Sequence, residues 1–339
     1  MSRAFAELPN VQLHCHLEGT IGAATFRGLA ARYAVDIGER NDPEKTFAFS
    51  TFMEFLYLFR AVLSVMRSPD DYAATARDYV ASAREQGVRH AELHISPSAW
   101  KRLHPELDVR ATVGAIRAAL DAESAGHDMT TGLIVDLTRN FGVESAEASA
   151  REAVTLADLG VVAVGLGGAE ADWPPELFVD AFAIARAGGL HTVAHAGEAA
   201  GAASVRGAVE TLGAERIGHG VRALEDPAVV ELLVRRQIPL EICPTSNRLT
   251  GAAPAGMPHQ LADLDAAGCR IALDADDPTL FGTTLLEEYG LAADWLGAGA
   301  IPRFVENAIR ASFASASRKA QLLAMLPSRN SVVSGRIKD

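Results

Sequence analysis

Short apolar runs, mostly of β-branched residues, recur along the chain, and each is followed by a longer Ala-rich stretch whose apolar positions return every three or four residues. The short runs read as strands at Val11–Leu17, Val88–Ile95, Met129–Asp136, Val161–Gly167, His191–Ala196, Arg216–His219, Pro239–Cys243 and Arg270–Asp274. Near-continuous apolarity is what a strand buried on both faces requires. The longer stretches have helical period, as in Gly201–Leu212 after the fifth strand and Pro227–Arg236 after the sixth. Glycines just before the second, fourth, fifth, sixth and eighth strands sit where a helix C-terminus favours them.

Eight β-then-α units with no break in composition predict an α/β chain closed into a parallel (β/α)8 TIM barrel. An open doubly wound sheet would place a Gly-rich phosphate turn after the first strand. The chain instead has His14-Cys15-His16-Leu17-Glu18-Gly19 there. Between the first two strands, Thr25–Tyr33, Thr51–Val65 and Asp71–Glu85 predict extra helices over one mouth of the barrel, and Pro302–Met325 predicts a helical C-terminus. A length of 339 residues is compatible with one domain over 1–327, leaving the polar residues 328–339 as an expected flexible tail.

Composition narrows the function classes. The 43 acidic against 31 basic residues give a net charge of -12, which argues against nucleic acid or an anionic membrane as the main partner. No window approaches the ~20 apolar residues of a membrane span. The first eleven residues lack the apolar core of a signal peptide, so the expectation is a cytoplasmic protein. Cys15, Cys243 and Cys269 are far apart and form no CxxC pair, which suggests buried thiols rather than a disulfide framework or a thiolate zinc site.

The informative polar residues fall at strand ends. In a βα barrel, reactive groups project from the C-terminal ends of strands. Those ends carry His14 and His16 on the first strand, His195 on the fifth, His219 on the sixth, and Asp276 and Asp277 after the eighth. His14 and His16, two apart on a strand, point the same way. Alone, the pair is as compatible with a polar mouth as with half of a metal site; with His195 and Asp276 at matching strand ends, the metal reading prevails. An imidazole-rich set favours Zn2+ over Mg2+ or Ca2+, and zinc lowers the pKa of a water to about 7. The fourth strand, Val161–Gly167, has no lysine to carboxylate, so one ion is the simpler expectation. Glu198, just past His195, is placed to move a proton if burial raises its pKa, although a helix-start carboxylate is the plainer meaning of the position. His219 lies between Gly218 and Gly220, which allow close approach of a ligand.

Leu13–Gly19, Thr192–Glu198 (ending His-Ala-Gly-Glu), Glu215–Gly220 (Glu-Arg-Ile-Gly-His-Gly), Cys243–Asn247 and Asp276-Asp277-Pro278, in this order, resemble the adenosine deaminase family of the metal-dependent amidohydrolase superfamily. The resemblance implies a purine nucleoside aminohydrolase that uses one zinc ion. It implies His14, His16, His195 and Asp276 as zinc ligands, Glu198 as proton donor to purine N1, and His219 with Asp277 as the pair orienting and activating the water. It also implies the Gly168 backbone as donor to purine N3, and Glu18 and Asp277 on the substrate side, Glu18 standing where the family's sugar-contacting acid would be. The implied reaction is attack at C6, a tetrahedral intermediate and loss of ammonia. Two positions depart from the family's usual Asp-Leu-Ala-Gly-Asp-Glu: Gly165 and Ala169 replace its aspartates, and Glu18 replaces an aspartate elsewhere. The pattern is similar to bacterial relatives acting on an adenosine altered on its 5′ side, such as 6-aminodeoxyfutalosine. Free adenine, or a different C–N or ester bond, is the alternative substrate.

Overall fold

The computed structural model describes residues 2–50, 52–254 and 256–327. Eight parallel strands run β1 Asn10–His16, β2 Val88–Ile95, β3 Thr130–Thr138, β4 Val161–Gly167, β5 His191–Ala196, β6 Arg216–His219, β7 Pro239–Ile242 and β8 Arg270–Leu273. Each pairs with its neighbour in sequence. The ring closes through a parallel bridge between Cys15 and Asp276: the His16 N–H donates to the Asp276 carbonyl at 2.9 Å, and the Asp276 N–H to the His14 carbonyl at 3.1 Å. Closure therefore falls on the segment that carries the candidate chemistry. The structure is the (β/α)8 barrel that the pattern predicts.

Helices α1 Ala23–Arg32, α2 Phe52–Val65 and α3 Pro69–Glu85 fill the long connection between β1 and β2. The start of α3 follows from local chemistry: Ser68 and Asp71 form a reciprocal capping box, and Pro69 takes the first helical position, where its missing N–H costs nothing. Tyr79 on α3 reaches the barrel wall, its hydroxyl donating to Gln12 on β1 at 2.9 Å.

Strands β1, β3, β7 and β8 differ from expectation by one or two residues at an end, and the C-terminal helical stretch divides. Asp274 lies just past β8: its N–H still donates to the Ile242 carbonyl of β7 at 2.9 Å, while its side chain turns to β1 and accepts the Leu13 N–H at 2.9 Å. The C-terminal helical stretch is two helices, Ile301–Ala311 and Ala316–Met325. At the break the Phe313 N–H donates to the Glu92 carboxylate, and Ser315 caps the second helix by accepting from the Arg318 N–H at 3.2 Å. The Phe313 ring stacks on His191 at 4.0 Å, at the N-terminal start of β5, and lies under the Arg216 guanidinium. Apolar periodicity registers the two helices but not the buried hydrogen bond that parts them. The expected tail at 328–339 lies outside the described residues. Among the described residues, no helix is long and apolar enough to cross a membrane.

The barrel interior contains charges where the strand pattern is otherwise apolar. Arg216 on β6 donates through Nε to Glu241 on β7 and through Nη1 to Glu92 on β2, both at 2.5 Å. Burial pushes Glu92 up, but Arg216 and a hydrogen bond from His90 outweigh it and bring its pKa down to about 2. This pairing is the condition for keeping three charges in a dry core.

Candidate active site and metal centre

At the C-terminal end of the barrel, one ligand atom from each of His14, His16, His195 and Asp276 lies within 4.8 Å of every other. His16 Nε2 is 3.3 Å from His195 Nε2 and 3.3 Å from Asp276 Oδ1, and His14 Nε2 is 3.6 Å from the same oxygen. His14 Nε2 is buried with no hydrogen-bond partner. An orphaned imidazole nitrogen aimed at a carboxylate and two further imidazole nitrogens fits a divalent cation of intermediate softness.

Each candidate ligand is held from behind. His14 Nδ1 donates to Glu241 at 3.1 Å, and His195 Nδ1 to the Leu166 carbonyl at 3.2 Å. His16 Nδ1 lies 3.2 Å from Asp136 Oδ2, and the Ser246 hydroxyl donates to Asp276 Oδ2 at 2.6 Å. Such outer partners select the tautomer and fix the ring plane. Burial lowers His14 and His195 well below the usual histidine range, so both imidazoles are neutral and free to ligate. Burial would lower His16 too, but its contact with Asp136 and the surrounding carboxylates raise it instead. A cation at the common point competes with that proton.

Backbone strain accompanies the site. His219 and Asp276 both have φ of 62°, a region that costs non-glycine residues energy and persists where the surroundings over-determine it. The Asn247 amide reaches His219 Nδ1 at 2.9 Å, which turns Nε2 toward the pocket, 3.5 Å from Glu198 and 3.9 Å from Asp276. Burial raises Glu198 above the ordinary carboxylate range. Asp276 and Asp277 diverge: burial works against ionising both, but the imidazoles of His16 and His219 and the Ser246 hydroxyl hold Asp276 low while Asp277, beside the charge of Asp276, is pushed well up. Adjacent carboxyls with separated pKa values suit distinct roles. Asp277 Oδ1 is buried without a partner, and a Cβ at Gly19 would come within 1.9 Å of it, so only glycine fits there.

Glu18 is fully buried, its Oε1 accepting from Trp100 Nε1 at 2.7 Å and from the Ser96 N–H at 2.9 Å, while Oε2 has no partner. Gly168 stands exposed at the rim of β4 with φ of 93°.

Several contributors escape a reading of motifs. Glu170 accepts four successive backbone N–H groups, from Gly197 at 2.6 Å, Glu198 at 3.1 Å, Ala199 at 2.7 Å and Ala200 at 2.9 Å, and so sets the loop that bears Glu198. Asp136, His94 and Glu241 sit behind the imidazoles. Their signal in sequence is a titratable residue inside an apolar strand run, which has to face a paired interior.

A closed barrel whose strand ends gather imidazoles and carboxylates around one point is the architecture of an amidohydrolase-type hydrolase. Comparison narrows the class. The profile of a family described as adenosine deaminase matches residues 9–328. An aminodeoxyfutalosine deaminase of Streptomyces coelicolor is 36% identical over 324 residues, covering 94% of this chain and 83% of that protein. The crystal structure of an adenine deaminase from Arthrobacter aurescens superposes with a TM-score of 0.86 at 30% identity, covering 94% of this chain and 98% of that one. A zinc-bound amidohydrolase from Burkholderia ambifaria does so with a TM-score of 0.87 at 26% identity, covering 98% and 93%. The chain belongs to the adenosine deaminase family and is a hydrolytic deaminase.

Proposed function

We propose that the protein removes the 6-amino group of an adenine nucleoside by hydrolysis, releasing ammonia and leaving the 6-oxopurine, with one zinc ion held by His14, His16, His195 and Asp276. The observation that carries this reading is the meeting of those four ligand atoms within 4.8 Å, with the Glu198 carboxyl 3.5 Å from His219 beside them. When bound, zinc supplies Lewis acidity that makes a water nucleophilic at neutral pH. The chain's own residues do the rest. Glu198, whose acid form burial favours, donates to purine N1 and so draws electron density away from C6. His219 and Asp277 orient the attacking water and take its proton. The Gly168 N–H reaches purine N3, and the free Oε2 of Glu18 faces the substrate. Residues 1–327 act as one catalytic domain.

The substrate favoured is adenosine or an adenosine modified at its 5′ side, such as 6-aminodeoxyfutalosine. Support comes from the Streptomyces aminodeoxyfutalosine deaminase and from the loss of both aspartates at Gly165 and Ala169. Free adenine is the second reading, favoured by the likeness to the Arthrobacter adenine deaminase. The test is ammonia release by zinc-loaded protein from 6-aminodeoxyfutalosine, adenosine, deoxyadenosine and adenine, compared by kcat/KM. The expected order puts a nucleoside first. Turnover of adenine alone selects the second reading, and no turnover of any member rejects both. Glu198→Gln is expected to keep the metal and lose several orders of magnitude in kcat.

A further inference from the structure

The departure at Gly165 leaves a space that the barrel fills from another strand. Gly165 on β4 is the register partner of Asp136 on β3. A Cβ built on Gly165 would lie 2.4 Å from Asp136 Oδ1 and 3.1 Å from His94 Nδ1. The Asp136 carboxylate and the His94 ring thus occupy the volume that any side chain at 165 would need. Asp136 is buried, and each of its oxygens faces one imidazole: Oδ1 takes the His94 Nδ1–H at 2.8 Å, and Oδ2 lies 3.2 Å from His16 Nδ1. His94 is buried as well, stacked on His14 with ring centroids 5.1 Å apart, and its Nε2 has no partner.

We infer that Asp136 is the positioning carboxylate of His16, that His94 locks Asp136 in that orientation, and that Gly165 is glycine because the two meet where its side chain would be. The inference rests on the zinc reading above and says what holds one of its ligands. An imidazole that ligates through Nε2 needs its Nδ1 proton directed to a fixed acceptor, which sets both tautomer and ring plane. Two imidazole N–H groups converging on one carboxylate leave it no free rotation. An amide at 136 cannot replace it, because an amide accepts on one side only and turns an N–H donor toward the other imidazole.

A metal role for this group is the competing explanation, since ligand atoms of His16, His94 and Asp136 also lie within 4.8 Å of one another. It predicts a second ion. The positioning role predicts one ion, held more weakly when Asp136 changes.

The experiment is zinc binding by chelator competition, with metal content per chain by elemental analysis, for wild type, Asp136→Asn, Asp136→Gly, His94→Phe and the double variant Asp136→Gly/Gly165→Asp, each checked for native circular dichroism. Asp136→Asn, which preserves shape, is expected to bind zinc about 10- to 100-fold more weakly at unchanged stoichiometry. His94→Phe keeps the ring volume and is expected to weaken binding less. The double variant returns a carboxylate to the same space, since 2.4 Å is also the distance from an aspartate's own Cβ to its carboxylate oxygens, and is expected to bind more tightly than Asp136→Gly alone. Wild-type affinity in Asp136→Asn overturns the inference, as does a double variant no better than Asp136→Gly, or loss of one of two ions in Asp136→Asn. Wild-type protein that takes up no zinc overturns the zinc reading itself, a separate result.

Discussion

Glu170→Gln isolates the contribution of a residue that touches none of the four candidate ligand side chains. In the native loop, Glu170 Oε1 accepts from Gly197, and Oε2 accepts from Glu198, Ala199 and Ala200. A glutamine satisfies at most one side. In its better orientation it keeps the three-donor side and points its own NH2 at the Gly197 N–H. One charge-assisted bond worth ~1.5–3 kcal/mol is lost, and three others fall from charged to neutral at ~0.5–1 kcal/mol each. The loop anchor therefore weakens by about 3–6 kcal/mol in all. The loop carries Glu198, so the proton donor shifts relative to the base, and a displacement of ~1 Å costs about 100-fold in rate. The expected result is kcat down about 100-fold with zinc content unchanged and KM altered little. Steady-state kinetics with elemental analysis reads all three. A variant with wild-type kcat would refute the reasoning, because the loop would then hold its geometry without the Gly197 bond and without the charge behind the other three.

Three further outcomes are expected. Gly19→Ala forces a methyl to within 1.9 Å of Asp277 Oδ1, so kcat should fall by at least ~100-fold in a protein that still binds zinc; an active variant would show that the carboxyl needs no fixed position. Arg216→Met takes from buried Glu92 and Glu241 the one guanidinium they share, which should cost about 3–5 kcal/mol in urea denaturation, and a loss below ~1 kcal/mol would mean the ion pairs are dispensable. Because burial raises Glu198, its acid form persists into a higher pH range than an ordinary carboxyl's. As a proton donor it acts only while protonated, so kcat should fall as pH rises through that raised pKa, and the alkaline limb should be absent from the residual rate of Glu198→Gln.

The barrel was legible in sequence because its strands are buried on both faces and announce themselves as apolar runs; β2, β4, β5 and β6 have the expected ends. The four candidate ligands were legible because strand ends in a barrel converge. Less visible were groups whose meaning depends on strand register. Asp136 matters because it faces Gly165 across β3 and β4, a relation that no local motif expresses. Glu170 stands only two residues beyond Gly168, yet its role arises from a loop that comes 27 to 30 residues later. The break at Phe313 is invisible to periodicity because its cause is Glu92, more than 200 residues earlier.

The proposed chemistry requires a single ion at the meeting point of β1, β5 and the β8 end. The direct measurement is anomalous scattering at the zinc edge from crystals of zinc-loaded protein. One peak per chain, bonded to His14, His16, His195 and Asp276 at about 2.0–2.2 Å, is the result expected. A peak that avoids those side chains, or none in protein that turns over substrate, would contradict it.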